Sequence, residues 1–374
     1  MLSAVKEKRL VESGVDAGKD SPEREAFSPE QVAQLFQPWA GTQKILLAVS
    51  GGPDSVALML LAAEWRRGKT APPLLHVATV DHGLRPEARA EAKKVAEWAH
   101  RLGLSHDILV WTGDKPKSRI QELARQARYD LLFAHAARIG ADVVATAHHA
   151  DDQAETILFR LLRGSGPGGL AGMAASRERF GLIHARPLLQ CSKMELIACC
   201  AAKAHPFLTD PSNRDPAYAR TRMRALSGLL AKEGLSRESL LRLGRRAARA
   251  EAALAARAAA VAANLAAARE PGLYRADVSN LAREPEEIFL RVLAREIVPL
   301  ADPLRDALGD RPLRLERLEA LALAMQNALR ASAPFSGTLG GAALKLGRDH
   351  VLTIRTEKPR RRGAAARRKK LCER

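Results

Sequence analysis

One short apolar run constrains this chain most: Lys44–Val49 (KILLAV) breaks off into Ser50-Gly51-Gly52-Pro53-Asp54-Ser55, and helical periodicity takes over at Val56–Trp65. A strand that passes into a helix through a Gly-rich turn is the opening unit of an α/β domain, and the unit repeats. Leu74–Val80 reads as a second strand ending at Asp81-His82-Gly83-Leu84-Arg85. The next helix, Pro86–Leu102, begins with a proline where a missing N–H costs nothing. His106–Trp111 is a third strand, Ser118–Ile139 a long helix and Asp142–Ala147 a fourth strand. Asp151–Arg163 is then a helix with acidic residues in its first turn, where they complement the dipole. Strands alternating with helices predict the α/β class: a parallel sheet covered on both faces, with ligands at the carboxyl ends of its strands.

The pattern fades after Pro187. Ser192–Ala204 reads as a helix and Thr209–Arg224 as a polar, Arg-rich connection. Beyond Gly234 the chain reads as all-helical, with an Ala-rich helix over Ala247–Arg269 that Pro271-Gly272 ends. Ser336–Thr353 regains β-like alternation, and the last 20 residues hold ten Lys and Arg against two Glu. Four pieces are therefore expected: 1–40, a disordered extension; 41–228, the α/β domain; 229–335, a smaller, mainly α-helical domain; and 336–374, a short β-like segment with a basic tail.

Charge narrows the partners. The 60 Lys and Arg against 42 Asp and Glu give +18, which favours a polyanion, nucleic acid before a membrane surface. A solvated basic face is the plainer alternative. Aromatics at 4% argue against extensive base stacking. Four cysteines at irregular spacing, with no Cys-x-x-Cys pair, give neither a disulfide framework nor a zinc or iron–sulfur site. No apolar run reaches the ~18 residues of a membrane span, and the first 40 residues lack a secretory apolar stretch. The expected location is the cytoplasm.

The loop itself points to an anion. Gly51 and Gly52 let backbone N–H groups approach phosphate oxygens and permit unusual backbone angles, Ser50 and Ser55 add hydroxyls, and a helix starting near Pro53 aims its positive end at the same place. Asp54 in that positive field makes sense as a Mg²⁺ ligand. Gly68-Lys69-Thr70 resembles the end of a different phosphate loop, but Ala63 stands where that motif needs glycine and no strand precedes it. A second cluster, His148-His149-x-Asp151-Asp152-Gln153-x-Glu155, falls at the end of the fourth strand, and Asp151 and Asp152 share a helical face with Glu155. One reading is a His/His/Asp transition-metal site. The other, which the preceding loop favours, is a carboxylate group holding Mg²⁺ and receiving a cation, with histidines positioning substrate. N-capping by Asp151 is compatible with both.

The SGGxDS loop resembles that of the PP-loop ATP pyrophosphatases, which cleave ATP between the α and β phosphates and transfer AMP. VDHGLR (80–85), TAHHADDQAETILFRLLRGSGPGGLAGM (146–173), ARPLL (185–189) and the Asp-x-x-Asn…Tyr-x-Arg…Arg segment (210–224) are similar to one branch, the tRNA(Ile)-lysidine synthase family. That resemblance implies ATP and Mg²⁺, free lysine, and an isoleucine tRNA with a CAU anticodon whose wobble cytidine is adenylated and then takes lysine at C2. By the same resemblance Asp54 and Asp152 hold Mg²⁺, Arg128 and Arg220 stabilise the α-phosphate, and Glu155 and Asn213 recognise lysine. His82 and His148 position nucleotide or base. Thr221 departs from the family's usual asparagine and leaves that contact in doubt. Gly164–Gly172 is expected as a closing or RNA-contacting loop. A homodimer stays open. The rival readings are a PP-loop enzyme that inserts sulfur into tRNA and a non-catalytic basic RNA-binding protein.

Overall fold

A computed structural model describes residues 27–84, 86–113, 115, 120–208, 226, 228–297 and 315–356. It divides into two compact units, Met1–Ala248 and Arg249–Arg374.

The first unit is the expected α/β domain. Strands β1 (Lys44–Ala48), β2 (Leu74–Asp81), β3 (Ser105–Val110) and β4 (Val143–Ala145) alternate with helices α2 (Pro53–Arg67), α3 (Ala88–Arg101) and α4 (Ile120–Arg138). The sheet order is β3-β2-β1-β4-β6-β5, parallel throughout except for the edge strand β5 (Ser176–Arg179), which runs against β6 (Leu182–Ala185). Alternation explains the continuous apolar runs. Ile45 and Leu47 face one core with α2 and α3, while Leu46 faces another with α4. The charged SRER of β5 and the short LIHA of β6 gave no apolar signal, so only strand pairing shows them as sheet.

Chain order reverses between β1 and β4: β2 and β3 extend the sheet on one side of β1, β4 and β6 on the other. Such a switch point opens a crevice at the carboxyl ends of the strands. The loop after β1 and the start of α5 (Ala150–Leu161) after β4 both lie there.

Two expectations need correction. Residues 27–40 are not a disordered extension. Ser28 caps helix α1 (Pro29–Phe36) with a reciprocal capping box, and Phe27, Val32, Phe36 and Trp39 join the main core. Phe36 stacks on Trp65 of α2 with ring centroids 5.1 Å apart. The signal was present as an apolar face, masked by the mixed charges before it.

Helices dominate the described part of 229–335 as expected, but the β segment after it is not separate from them. The second unit joins α8 (Arg237–Ala263, which begins in the first unit), α9 (Glu286–Ile297) and α10 (Leu315–Arg330) to a five-stranded antiparallel sheet, β7-β8-β11-β10-β9. Residues of β8, β10 and β11 share one core with all three helices. Strand β7 (Ala267–Glu270) lies within the Ala-rich stretch because β8 (Leu273–Asp277) pairs with it; Gly272, at φ 74°, makes the hairpin turn instead of stopping a helix. Strands β9 (Phe335–Leu339), β10 (Ala342–Leu346) and β11 (Val351–Thr356) complete the sheet. Arg291 of α9 binds Glu251 of α8 through its two Nη nitrogens, at 2.7 and 2.8 Å. Among the described residues no helix is long and apolar enough to cross a membrane.

Truncating Phe36 to Ala is expected to cost about 3–5 kcal/mol of the first unit's stability in urea denaturation, as for a buried core ring. A change within about 0.5 kcal/mol, as for an exposed residue, would return residues 27–40 to the status of an appendage.

Candidate active site

In the loop after β1, the two glycines have different reasons to be there. Gly51 has φ 87°, and a Cβ on it would meet Leu208 Cδ1 at 2.6 Å and Val95 Cγ2 at 3.2 Å. Its carbonyl accepts from Leu208 N at 2.8 Å. Gly52 caps α2 with ordinary extended angles (φ −70°, ψ 161°) and has no close neighbour, so the unusual backbone expected of both glycines belongs to Gly51 alone. What Gly52 leaves open is space in front of the helix N-terminus, where Pro53 occupies the first turn. Ser55 is buried and donates its one hydroxyl proton to Gly52 O at 2.9 Å, while accepting from Ser50 N at 3.1 Å. Ser55 therefore staples the loop, and Ser50 keeps the exposed hydroxyl.

Asp54, in the first turn of α2, meets the β4 cluster through His149. This residue, and not Asp151, is the N-cap of α5. Its ring is buried among three carboxylates: Nε2 lies 3.6 Å from Asp54 Oδ2 and 3.5 Å from Asp152 Oδ2, and Nδ1 lies 3.6 Å from Asp151 Oδ2. Burial alone would make this imidazole less basic. Hydrogen bonding to Asp151 and Asp54, with the charge of Asp152, outweighs burial and pushes its pKa up to about 9. The ring is then an imidazolium at neutral pH. Asp152 N comes within 3.4 Å of Nδ1, a contact that only the unprotonated ring accepts. Asp151 is held below the usual carboxylate range by His149 first, against its own burial, and further by the Lys193 N–H (2.9 Å) and Arg237 (3.3 Å). Asp54 Oδ1 is buried without a hydrogen-bond partner. Glu155 is half-buried on the same helix.

A second group is cationic. Around Tyr129 of α4 stand the guanidinium groups of Arg125, Arg128 and Arg179, at 5.2, 5.3 and 5.0 Å from the ring centroid. Thr146 Oγ1 links His148 Nδ1 (2.8 Å) to His184 Nε2 (3.0 Å), and Arg186 Nη2 reaches His184 Nδ1 at 3.2 Å. Burial first, then the arginine charges, push His148 down to about 2 and His184 to about 3. Both rings are neutral. The charge of Arg128 also lowers His82, behind burial. Arg128 Nε and His82 Nδ1 are buried with no hydrogen-bond partner. Arg128 thus acts on His82 after β2 and on His148 after β4, two residues 66 positions apart in sequence.

His149, Arg125, Tyr129, Arg179, His184 and Arg186 were not assigned roles from the sequence. His149 and Arg186 lie within quoted motifs, but nothing in the residue order says which of two adjacent histidines meets the carboxylates. Asn213, Arg220, Thr221 and Arg224 lie outside the described residues. The Gly-rich segment is not a free closing loop at its end. It holds the short helix α6 (Pro167–Leu170), Gln153 clamps Met173 through Oε1 (2.7 Å) and Nε2 (2.9 Å), and Arg160 donates to Gly169 O and Gly172 O. Cys199 and Cys200 are buried thiols pushed up to about 11 and 12 by burial, so neither offers a thiolate.

Two predictions follow from this geometry. Gly51→Ala should destabilise the fold by about 1–3 kcal/mol through backbone strain and the Leu208 clash. Gly52→Ala should leave stability within about 0.5 kcal/mol but weaken nucleotide binding in a titration, because its Cβ would enter the phosphate approach. For His184, the groups facing it are His148, Tyr129, Phe133, Arg125, Arg128, Arg179 and Arg186. Its folded pKa lies below the ordinary 6.5, so the unfolded chain binds the extra proton. The associated stability is complete above pH 6.5 and is lost as pH falls toward 3. Calorimetric melting temperature should drop between pH 7 and 5, and less steeply in His184→Gln; an unchanged slope would place the titration elsewhere.

Residues 25–228 match the PP-loop domain family. A tRNA(Ile)-lysidine synthase from Methylobacterium sp. (strain 4-46) is 50% identical over 90% of this chain and 96% of its own length. Another from Rhodopseudomonas palustris (strain ATCC BAA-98 / CGA009) is 45% identical over 91% and 98%. Among solved structures, the U34-tRNA thiolase NcsA from Methanococcus maripaludis, with its [4Fe-4S] cluster, superposes with a TM-score of 0.50 at 17% identity, over 58% of this chain and 77% of that one, a likeness of fold alone. With a PP-loop domain and relatives matched along nearly their whole length, the chain belongs to the tRNA(Ile)-lysidine synthase family.

Proposed function

We propose that this protein uses ATP to join free lysine to C2 of the wobble cytidine of an isoleucine tRNA with a CAU anticodon, releasing AMP and pyrophosphate. The observation that carries this reading is the meeting of Asp54 of the phosphate loop with Asp152 at one nitrogen of His149, beside the arginine group. In the first step the cytidine O2 attacks the α-phosphorus, the bond to the bridging oxygen of pyrophosphate breaks, and pyrophosphate leaves. Loop N–H groups around Gly52, the positive end of α2 and the Ser50 hydroxyl receive that anion. Arg128 and, by the family resemblance, Arg220 stabilise the α-phosphate, and the neutral rings of His82 and His148 position nucleotide and base without repelling the Arg128 guanidinium. In the second step the lysine ε-amine, having lost a proton, attacks C2, and AMP departs with the former O2. Glu155 and Asn213 recognise the lysine.

A hard cation fits the acidic half. Asp54 carries a buried oxygen with no partner, and Asp54 and Asp152 aim carboxylate oxygens at a common neighbour. These two residues would hold Mg²⁺, which when bound neutralises charge on the departing pyrophosphate. The first unit, with residues 27–40 in its core, carries the catalytic site, and the basic helices and sheet beyond 229 position tRNA through phosphate contacts. The reaction's substrates place the enzyme in the cytoplasm.

The test supplies ATP, radiolabelled lysine and unmodified tRNA. Wild-type protein should incorporate lysine and release AMP, and Asp54→Ala and Asp152→Ala should each lower kcat/KM by at least about 100-fold, the scale of losing one transition-state contact. Lysine incorporation that survives both substitutions would sink the reading.

A further inference from the structure

We propose that the β5–β6 hairpin is an RNA-contacting element, in which Phe180 offers a base-stacking face and Arg177 and Arg179 hold backbone phosphates beside the reaction centre; this rests on the tRNA reading above and adds the surface that meets the RNA.

The hairpin turn is Phe180-Gly181, with φ 52° and 72°. Two successive residues at positive φ suit a tight hairpin, and asparagine is the residue ordinarily found at the first position. A bulky aromatic there is strained, and such strain gathers at functional sites. The ring is not kept for the core, since Phe180 is 51% exposed and no other Phe, Tyr or Trp among the described residues is exposed to that degree. It meets Phe133 edge-on at 5.7 Å. The Arg179 guanidinium lies 5.0 Å from its centroid, and also 5.0 Å from Tyr129 and 5.5 Å from Phe133, so rings and guanidinium alternate in one layer. Such a layer accepts a further flat ring.

Pairing sets which side chains share this face. Arg177 stands opposite His184 and Arg179 opposite Leu182, whereas Glu178 pairs with Ile183 on the other face. The arginine-bearing face therefore runs from the hairpin to Arg186, Arg125 and Arg128. Its cations crowd one another: Arg186 is made less basic by burial first and then by Arg125, Arg177 and Arg179. One α-phosphate does not call for five guanidinium groups spread from α4 to a hairpin tip, but a phosphodiester strand does. The face is also continuous with the proposed centre through the His184–Thr146–His148 hydrogen bonds.

The experiment measures binding of unmodified isoleucine tRNA by fluorescence anisotropy, which needs no turnover. Phe180→Asn removes the ring and suits the turn, so melting temperature should hold or rise while tRNA Kd rises about tenfold. Phe180→Trp should stay near wild type. Arg177→Gln with Arg179→Gln should reduce the slope of log K against log salt by about 1–2. ATP affinity should be unchanged in the Phe180 variants. Wild-type tRNA affinity in Phe180→Asn overturns the proposal, as does an effect confined to self-association in sedimentation. If wild-type protein incorporates no lysine but Phe180→Asn still weakens tRNA binding, the lysidine reading fails and this one stands; normal incorporation with a silent Phe180→Asn gives the reverse.

Discussion

Three half-buried carboxylates, Asp54, Asp151 and Asp152, converge on the ring of His149, whose positive charge offsets part of their mutual repulsion. Asp54 comes from the helix after β1, and Asp151 and Asp152 from the helix after β4. The contact exists because β1 and β4 are neighbours across the point where strand order reverses, so both helices begin over the same crevice. The positive ends of α2 and α5 lower the cost of the acidic group further. Asp151 also ties α5 to the start of α7 (Lys193–Ala202) through the Lys193 N–H, so the same acidic group anchors a third helix.

Beside this acidic half lies one of opposite character. Arg125, Arg128, Arg179 and Arg186 surround Tyr129, His148 and His184, and burial together with their charges keeps both imidazoles neutral. Adjacent histidines thereby take opposite states, His149 charged and His148 neutral, because one faces carboxylates and the other faces guanidinium groups. A reaction that separates a cation-stabilised pyrophosphate from an arginine-held nucleotide phosphate has use for both halves. Cys199 and Cys200 offer no thiolate to either half, though the Cys200 thiol donates to Pro53 O of the phosphate loop at 3.5 Å.

A third polar set joins the sheet to α4. His76, Asp107 and His135 join β2, β3 and α4, with Asp107 Oδ2 at 2.8 and 3.2 Å from the two rings. Arg138 donates to His135 Nδ1 at 2.8 Å, while His135 Nε2 is buried without a hydrogen-bond partner. The set is a clasp between sheet and helix.

Local signals sufficed where one segment carries the whole cause. Apolar runs buried on both faces, a Gly-rich turn and acidic first turns are each contained in a few residues, so the α/β class, the phosphate loop and the candidates Asp54 and Asp152 were legible in the order of residues, whereas Arg128 came only through the family resemblance. The folded state of 27–40 and the β7–β8 pairing were not, because an amphipathic turn and an edge strand acquire their structure from partners far along the chain. The sequence by itself determined that a phosphate loop precedes an acidic helix and that the chain is strongly basic. Only the tertiary structure decided that His149 is the charged histidine and His148 the neutral one, that Ser55 serves the loop, and that arginines from α4 and the β5–β6 hairpin form one face. Protonation states and shared faces depend on which charges arrive within a few ångströms, and that distance is set by sheet order.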